Sequence, residues 1–253
     1  MHLFLSPHPD DIPLSCGGIV RQITARGETA VMLTLMAADP PPNAPDTPLI
    51  RELHERWGAG VNPFITRRAE DEAAAAALGM ARTLFTPIPD CIYRTFRGEA
   101  LYPTVDHIFG EVHPHDPARP TLLNMPPQVV SGATVIYAPL GTGHHVDHQL
   151  TRDWAQRLQA SLPGSTLWFY EDYPYAGQAG AVERALAAFG MPLTAHLYPI
   201  DADALHAKLT SLRCYVSQIS TFWPDTAAMD AAITDHMTRT GGGTPAERLW
   251  SLI

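Results

Sequence analysis

The chain has 253 residues, of which 45% are hydrophobic and 17% are charged, and its formal net charge is -9. This composition is typical of a globular protein and excludes an intrinsically disordered chain. The negative charge, with Lys208 as the only lysine, argues against nucleic acids and anionic membranes as partners, because both bind basic surfaces. Three cysteines without CxxC spacing indicate neither a disulfide framework nor a structural zinc site. We therefore expect a cytoplasmic protein without a secretory signal or a membrane span.

Predicted strands and helices alternate along the chain. The strands are predicted at residues 2–6, 29–36, 83–86, 133–137, 166–170 and 193–198. The helices are predicted at residues 14–25, 66–78, 147–160, 181–189 and 202–218, followed by a glycine tether at 241–243 and a short terminal helix containing Glu247 and Trp250. This alternation predicts an α/β fold of the Rossmann-like type, in which helices flank a mainly parallel sheet.

Proline clusters at residues 40–48 and 114–127 predict loop insertions around the pocket, where they form a rim or lid. We expect a single domain over residues 1–253, and the length also allows a small C-terminal subdomain from about residue 165.

Two predicted strands are each followed by a loop that carries imidazole and carboxylate groups. The first loop contains His8, Asp10 and Asp11, and the second contains His145, Asp147 and His148. Residues just past the carboxyl ends of the strands line the ligand crevice of an open α/β sheet. The two loops are therefore expected to converge.

The converging loops would supply what a hydrolytic Zn²⁺ needs, which is three N or O ligands, an open position for water and a free carboxylate. We assign His8, Asp11 and His148 as ligands. Asp10 remains free as the base that accepts a proton from water. Fe²⁺ also occupies His/Asp sites of this kind, so the sequence leaves the physiological metal open.

His145 precedes the ligand His148 by three residues and is placed to donate a hydrogen bond to a developing oxyanion. Asp147 is expected to orient and charge the imidazole of His145.

Simpler interpretations compete with these assignments. Taken alone, Asp10 or Asp11 is typical of the residue that caps the N-terminus of a helix. A third cluster, His113-Pro114-His115-Asp116, offers similar atoms but follows no apolar run, and we interpret it as a surface loop.

The segments His8-Pro9-Asp10-Asp11 and His145-Val146-Asp147-His148 resemble the two hallmark motifs of the LmbE-like, or PIG-L, deacetylase family. The resemblance implies a Zn²⁺-dependent enzyme that removes the acetyl group from N-acetylglucosamine units of a small molecule. It also implies, position by position, the ligand, base and transition-state roles given above.

Weaker matches extend the resemblance along the chain. Arg67 and Glu70 match the family's Arg-x-x-Glu helix, which implies that Arg67 contacts the sugar. A solvated helix face is the competing account, and Arg68 leaves the alignment open by one position. Asp90 matches a family Asp that bonds sugar hydroxyls, and its alternative is an ordinary turn residue.

Four further features bear on the pocket. The pair Gly17-Gly18 matches family glycines and allows a close approach of the first helix to the sheet or to a sugar. Ile12 stands where many relatives have Glu, which removes a carboxylate from the pocket's edge. The segment 170–175 either stacks on a sugar or packs as a strand end, and the helix ending at Gln218 is expected to pack.

Three functional hypotheses follow. The first is a deacetylase of an N-acetylglucosaminide, and the second is the same chemistry on another acylated amino sugar or a thiol-sugar conjugate. The third is a non-catalytic carbohydrate-binding protein that keeps the metal loops. The presence of both Asp10 and His145 argues against the third.

Overall fold

A seven-stranded sheet lies at the centre of the computed structural model, which describes residues 1–58, 60, 62–125, 130 and 132–253. Its strands are β1 (His2–Ser6), β2 (Ala30–Thr34), β3 (Arg82–Phe85), β6 (Val135–Pro139), β7 (Thr166–Tyr170), β8 (Leu193–Pro199) and β9 (Ala246–Leu252). The strand order is β3-β2-β1-β6-β7-β9-β8. The pairs among β3, β2, β1, β6 and β7 are parallel, and β9 is antiparallel to β7 and β8. The predicted mainly parallel α/β fold is confirmed.

Helices cover both faces of this sheet. They are α1 (Asp11–Ala25), α2 (Pro48–Trp57), α3 (Pro63–Ala77), α4 (Val105–Ile108), α5 (Ala118–Leu123), α6 (Val146–Ser161), α7 (Ala181–Phe189), α8 (Ala202–Leu212), α9 (Val216–Phe222) and α10 (Thr226–Thr240). A small hairpin of β4 (Thr95–Phe96) and β5 (Glu99–Ala100) lies in the insertion before α4. The prediction of a loop at 114–127 is wrong in part, because α5 lies within this range, and residues 126–129 lie outside the described residues. Among the described residues, no helix has the length and apolar character needed to span a bilayer.

The alternation of side chains along β1 divides the core into two layers. Phe4 packs with residues of α1, α3, α8 and α10 on one face. Leu3 and Leu5 point to the opposite face, where they pack with Leu150 and Trp154 of α6. A third cluster, which includes Trp57 of α2 and Ile108 of α4, lies among the segments that follow the strands. Both faces of the parallel strands are therefore covered, as a parallel sheet requires.

The predicted terminal helix is wrong, because residues 246–252 form strand β9. This strand inserts between β7 and the edge strand β8 and pairs with both. Leu249 packs on one face of the sheet and Trp250 on the other, which is the period of two that a strand requires. Tertiary pairing outweighs the local helix preference of Glu247 and Arg248.

Other helices also differ from the prediction. The predicted helix at 202–218 is two helices, α8 and α9, because the chain turns between residues 213 and 215. Helices α2 and α10 were not predicted. The start of α2 carries a cap signal that the sequence shows, since the Thr47 hydroxyl accepts from the backbone N–H of Ile50 and Pro48 occupies the first turn.

Helix α1 is interrupted at Cys16, whose backbone is not helical (φ -143°, ψ 24°). Gly17 and Gly18 follow directly, and a Cβ atom on Gly18 would lie only 2.9 Å from a side-chain carbon of Ile200. A Cβ atom on Gly17 would lie 3.1 Å from Cγ of Lys208 in α8. The two glycines thus serve close helix packing rather than approach to a sugar.

The sheet order places a crevice at the carboxyl end of β1. The chain runs from β1 to β2 on one side and later returns to β6 on the other side. Strand order reverses between β1 and β6, and ligands of open α/β sheets bind at such a switch point. The two histidine-containing loops begin at this point.

Candidate metal centre

The loop after β1 and the start of α6 bring three imidazoles together at the carboxyl edge of the sheet. The ring centroid of His8 lies 5.4 Å from that of His148 and 4.8 Å from that of His145. All three side chains are buried, and nitrogen atoms of the three rings lie within 4.8 Å of one another. The two loops therefore converge in the structure.

Asp11 lies between two of these rings. Its Oδ2 is 3.5 Å from Nδ1 of His8 and 3.5 Å from Nε2 of His148. Ligand atoms about 2.1 Å from a tetrahedral metal are separated by about 3.4 Å, so both spacings fit a metal held between these atoms. His8, Asp11 and His148 thus form a donor set suited to a divalent metal.

Two carboxylates hold the outer nitrogens of the rings. Asp147 Oδ2 lies 2.9 Å from Nε2 of His8, and Asp172 Oδ1 lies 2.5 Å from Nδ1 of His148. Such contacts fix the proton on the outer nitrogen and leave the inner nitrogen free as a ligand. In both rings the free nitrogen is the one that faces Asp11.

The contacts of Asp147 differ from those predicted. We predicted that its carboxylate orients His145, but it contacts His8 and the buried guanidinium of Arg94. The backbone N–H of Cys91 also donates to it, at 3.1 Å. Arg94 belongs to the insertion after β3, far from Asp147 along the chain, so no local pattern predicts this contact.

His145 is the N-cap residue of α6, and its side chain accepts a hydrogen bond from the helix backbone. The backbone N–H of Asp147 donates to its Nδ1 at 3.1 Å. Burial and the nearby charge of His8 lower the pKa of His145 well below its usual value, which favours the neutral ring. A neutral imidazole whose Nδ1 accepts carries its proton on Nε2, which makes Nε2 a donor instead of a metal ligand.

Asp10 has a strained backbone, with a φ of 102° in the left-handed region. Its side chain caps no N–H of α1, which excludes the helix-cap interpretation for this carboxylate. The backbone N–H of Asp10 donates to Oδ1 of Asp71 at 3.3 Å. The side-chain Oδ2 of Asp10 lies 3.9 Å from Nη2 of Arg67. Burial raises the pKa of Asp10 to about 8, an effect that Arg67 opposes.

The candidate ligands favour their charged forms. Burial disfavours a charged His8, but Asp11 and Asp147 outweigh it and raise the pKa of His8 to about 10. Burial likewise opposes ionisation of Asp11, yet His148 and His8 lower its pKa to about 2. A metal that binds here therefore competes with a proton on His8.

Arg67, and not Arg68, lines the cavity. Its Nη2 donates to the carbonyl of Pro9 at 3.1 Å, and its guanidinium lies 4.8 Å from the ring centroid of Trp57. Arg68 instead pairs with Asp39 outside the site. The helix face around Arg67 is not a solvated one, since the residue is only 4% exposed.

Asp90 also lines the cavity, with Oδ2 3.8 Å from Nε2 of His8. Its Oδ1 accepts from the backbone N–H of Ile92, so the residue shapes a turn as well. Glu70 lies elsewhere and accepts from the backbone and hydroxyl of Ser217, which ties α3 to α9.

Three residues near the site are not among the predicted site residues. Asp172 holds His148 and also accepts from two backbone N–H groups of the loop after β6. Of the segment 170–175, Tyr175 reaches the cavity, where the absence of a side chain on Gly143 makes room for its ring. Gln218, expected only to pack, lines the cavity too. The sequence signal that could have identified Asp172 and Tyr175 is the mixture of acidic and aromatic residues at 170–175.

The histidines of the cluster 113–116 take no part in the centre, but Asp116 is buried rather than on the surface, and its Oδ1 lies 3.5 Å from Nε of Arg94. Asp116 accepts from the hydroxyl of Tyr102 at 2.6 Å, and His115 stacks on Phe96 with a ring-centroid distance of 4.2 Å. None of the potential metal-binding groups among the described residues contains these histidines.

An open α/β sheet with a buried His/Asp centre at its switch point defines a metal-binding α/β protein. The family model described as "PIG-L: GlcNAc-PI de-N-acetylase" matches residues 3–158, which include both histidine-containing loops. The chain belongs to this PIG-L family.

Curated relatives are deacetylases by name. The chain is 31% identical to the 2'-N-acetylparomamine deacetylase of Streptomyces fradiae over 185 residues, which cover 72% of this chain and 60% of that protein. It is 27% identical to the enzyme of the same name from Niallia circulans over 188 residues, which cover 68% and 66%. The chain thus matches less than two thirds of the length of either relative.

Solved structures of deacetylases share the fold. The zinc-inhibited form of the teicoplanin deacetylase Orf2 aligns with a TM-score of 0.81 and 24% identity, over 100% of this chain and 97% of that one. The A40926 pseudoaglycone deacetylase Dbv21 aligns with a TM-score of 0.76 and 25% identity, over 100% and 96%. The N,N'-diacetylchitobiose deacetylase from Pyrococcus horikoshii aligns with a TM-score of 0.60 and 18% identity, over 98% and 82%.

Proposed function

We propose that this protein is a metal-dependent N-deacetylase that hydrolyses the acetamide of an N-acetylglucosamine-containing small molecule. The observation that carries this proposal is the arrangement of one carboxylate between two carboxylate-held imidazoles, beside a second carboxylate that caps nothing. Family membership and the names of the relatives support the same reaction. We also propose that residues 1–253 act as one domain, because β7, β8 and β9 extend the same sheet.

His8 Nδ1, Asp11 Oδ2 and His148 Nε2 would hold the metal, and Zn²⁺ or Fe²⁺ suits such a donor set. When bound, such an ion acts as a Lewis acid that acidifies water and polarises a carbonyl group. A positive charge beside Asp10 also favours its carboxylate, which counters the effect of burial on its pKa.

The protein's own groups then perform the proton transfers. Asp10 accepts a proton from the attacking water as the new C–O bond forms. His145 donates a hydrogen bond from Nε2 to the oxygen of the tetrahedral intermediate. Asp10 returns the proton to the nitrogen as the C–N bond breaks, and acetate and the free amine leave.

Asp147 and Asp172 position the ligands His8 and His148 in this scheme. Arg67 and Asp90 are the candidate sugar contacts. Arg67 lines the cavity, and its donation to the carbonyl of Pro9 fixes the guanidinium beside the metal centre.

The test is acetate release from N-acetylglucosaminides by the metal-loaded protein and by Asp10→Asn. Loss of the base should lower kcat by about 10²- to 10⁴-fold, because that is the usual contribution of a general acid-base group. The variant should retain its metal, since Asp10 is not one of the proposed ligands.

The matched control is Asp39→Asn, which removes an equally small carboxylate that is 57% exposed and pairs with Arg68 outside the cavity. It should keep wild-type activity. If wild type with a full complement of metal releases no acetate from any amino-sugar amide, the deacetylase assignment is wrong and a carbohydrate-binding role takes its place.

A further inference from the structure

We propose that Asp71 is a positioning residue for the base Asp10. Asp71 and Arg67 hold the two ends of the peptide that precedes Asp10, and they thereby fix the direction in which its carboxylate points. This inference rests on the proposed deacetylase function, in which Asp10 accepts the proton from water.

The peptide between Pro9 and Asp10 is bound at both ends by α3. Its N–H donates to Oδ1 of Asp71 at 3.3 Å, and its carbonyl accepts from Nη2 of Arg67 at 3.1 Å. Arg67 and Asp71 are four residues apart on this helix, so their side chains lie on the same face, one turn from each other. Because a peptide group is planar, partners at its two ends set the orientation of the whole plane.

The peptide that follows Asp10 is fixed as well. Its carbonyl accepts from the backbone N–H of Leu14 at 3.0 Å, in the first turn of α1. With both flanking peptides held, the backbone of Asp10 keeps a φ of 102°, which residues other than glycine rarely adopt. Strain of this kind persists only where the surrounding structure enforces it. Without the two hydrogen bonds from α3, the backbone of Asp10 would relax and its carboxylate would turn.

Asp71 is itself fixed in place by two hydroxyl groups. The hydroxyl of Thr34, at the end of β2, donates to Oδ2 of Asp71 at 2.6 Å. The hydroxyl of Tyr215, in the turn before α9, donates to Oδ1 at 2.5 Å. Asp71 is fully buried and does not line the cavity, whereas Asp10 does. Asp71 therefore does not contact a substrate in the cavity, and it acts on the reaction through Asp10.

The experiment measures acetate release and bound metal in Asp71→Ala, Asp10→Asn and the double variant. Asp71→Ala should retain its metal and lower kcat about 10- to 100-fold with little change in KM, because a misplaced base slows the chemical step and leaves the substrate contacts in place. In the Asp10→Asn background the same substitution should not lower the residual rate further, since its effect passes through the base. Glu72→Ala, at the next and exposed position of α3, is the control and should keep the wild-type kcat.

This cycle of variants distinguishes positioning from a loss of folded protein. A smaller folded fraction lowers the rate by the same factor in the wild-type and Asp10→Asn backgrounds, whereas misplacement of the base lowers it only in the first. A similar loss in both backgrounds, or an unchanged kcat in Asp71→Ala, would overturn the inference and leave the deacetylase assignment intact. A wild-type rate in Asp10→Asn, or no acetate release by the metal-loaded wild type, would instead contradict the proposed function itself.

Tyr215→Phe tests the same contacts if Asp71→Ala does not fold. It removes one hydroxyl group and should lower kcat severalfold in the wild-type background and leave the rate of Asp10→Asn unchanged. Tyr137→Phe is the matched control, because its hydroxyl lies 3.1 Å from Nδ1 of His2 and the buried residue does not line the cavity. It should keep the full rate in both backgrounds. Equal kcat values for Tyr215→Phe and Tyr137→Phe would overturn the inference.

Discussion

Three buried imidazoles lie side by side in the metal centre, and their hydrogen bonds give them different chemistry. His8 and His148 each have one nitrogen held by a carboxylate, so the other nitrogen is free to bind a metal. His145 instead accepts a backbone N–H at Nδ1, which leaves Nε2 as a donor. The residue type is the same in all three, and the neighbours decide the role.

The contact between Asp172 and His148 gives a prediction for metal affinity. Asp172→Asn should weaken metal binding about 10- to 100-fold, because an amide orients the imidazole less firmly and does not increase its basicity. Isothermal titration with Zn²⁺ measures this change. Asp235→Asn on α10 is the control, because its carboxylate is exposed and pairs with Arg239, away from the metal centre. Equal affinities of wild type and Asp172→Asn would remove Asp172 from the ligand-positioning role.

At the scale of elements, the break in α1 depends on a buried ion pair. The interruption at Cys16 leaves the carbonyl of Leu14 and the N–H groups that follow without helical partners. Lys208 donates to Leu14, and Glu247 accepts from the N–H groups of Gly18 and Ile19. The two side chains also pair with each other at 2.7 Å. Elements from the C-terminal part of the chain thus support the helix that begins at Asp11.

Lys208→Met should therefore lower the free energy of unfolding by about 3–5 kcal/mol, because it leaves the Glu247 carboxylate buried and unpaired. Urea unfolding measures this loss. Arg213→Met is the matched control, since its ion pair with Asp230 is partly exposed and contributes at most about 1 kcal/mol. A loss as small as that of the control would show that the buried pair contributes little to stability.

Elements with strong local signals were predictable from the sequence, and those that depend on distant partners were not. β1 and α6 have clear apolar patterns and lie where we predicted them, within two residues. β9 forms because β7 and β8 offer backbone groups for pairing, and nothing in residues 246–252 alone reveals those partners. The same reason explains the contact of Asp147 with Arg94, which is set by the course of the insertion after β3.

At the scale of the whole molecule, the half-buried His236 makes the free energy of unfolding depend on pH. It lies against Tyr173, with ring centroids 4.6 Å apart, where burial and the nearby charges of Lys208 and Arg239 lower the pKa of His236 to about 4. The unfolded chain takes up this proton near pH 6.5, and the folded protein takes it up only near pH 4. The contribution of neutral His236 to the free energy of unfolding is therefore present above pH 6.5, and it is lost as the pH falls toward 4.

Urea unfolding between pH 7 and pH 4.5 measures the effect. His236→Gln should lose less stability than wild type over this range, because glutamine does not titrate. His206→Gln, which changes an exposed histidine on α8, should follow wild type. If the free energy of unfolding falls equally for wild type and His236→Gln between pH 7 and pH 4.5, the pH dependence assigned to His236 is wrong.

The most direct test of the whole account is the metal content of the reconstituted protein and two variants, measured by elemental mass spectrometry. The proposed ligand set predicts about one Zn or Fe per chain in wild type, its loss in His148→Ala and its retention in His145→Gln. Because nitrogen atoms of His8, His145 and His148 also lie within 4.8 Å of one another, metal loss in His145→Gln would favour a three-imidazole set instead. Absence of bound metal in wild type would contradict the metal-dependent mechanism.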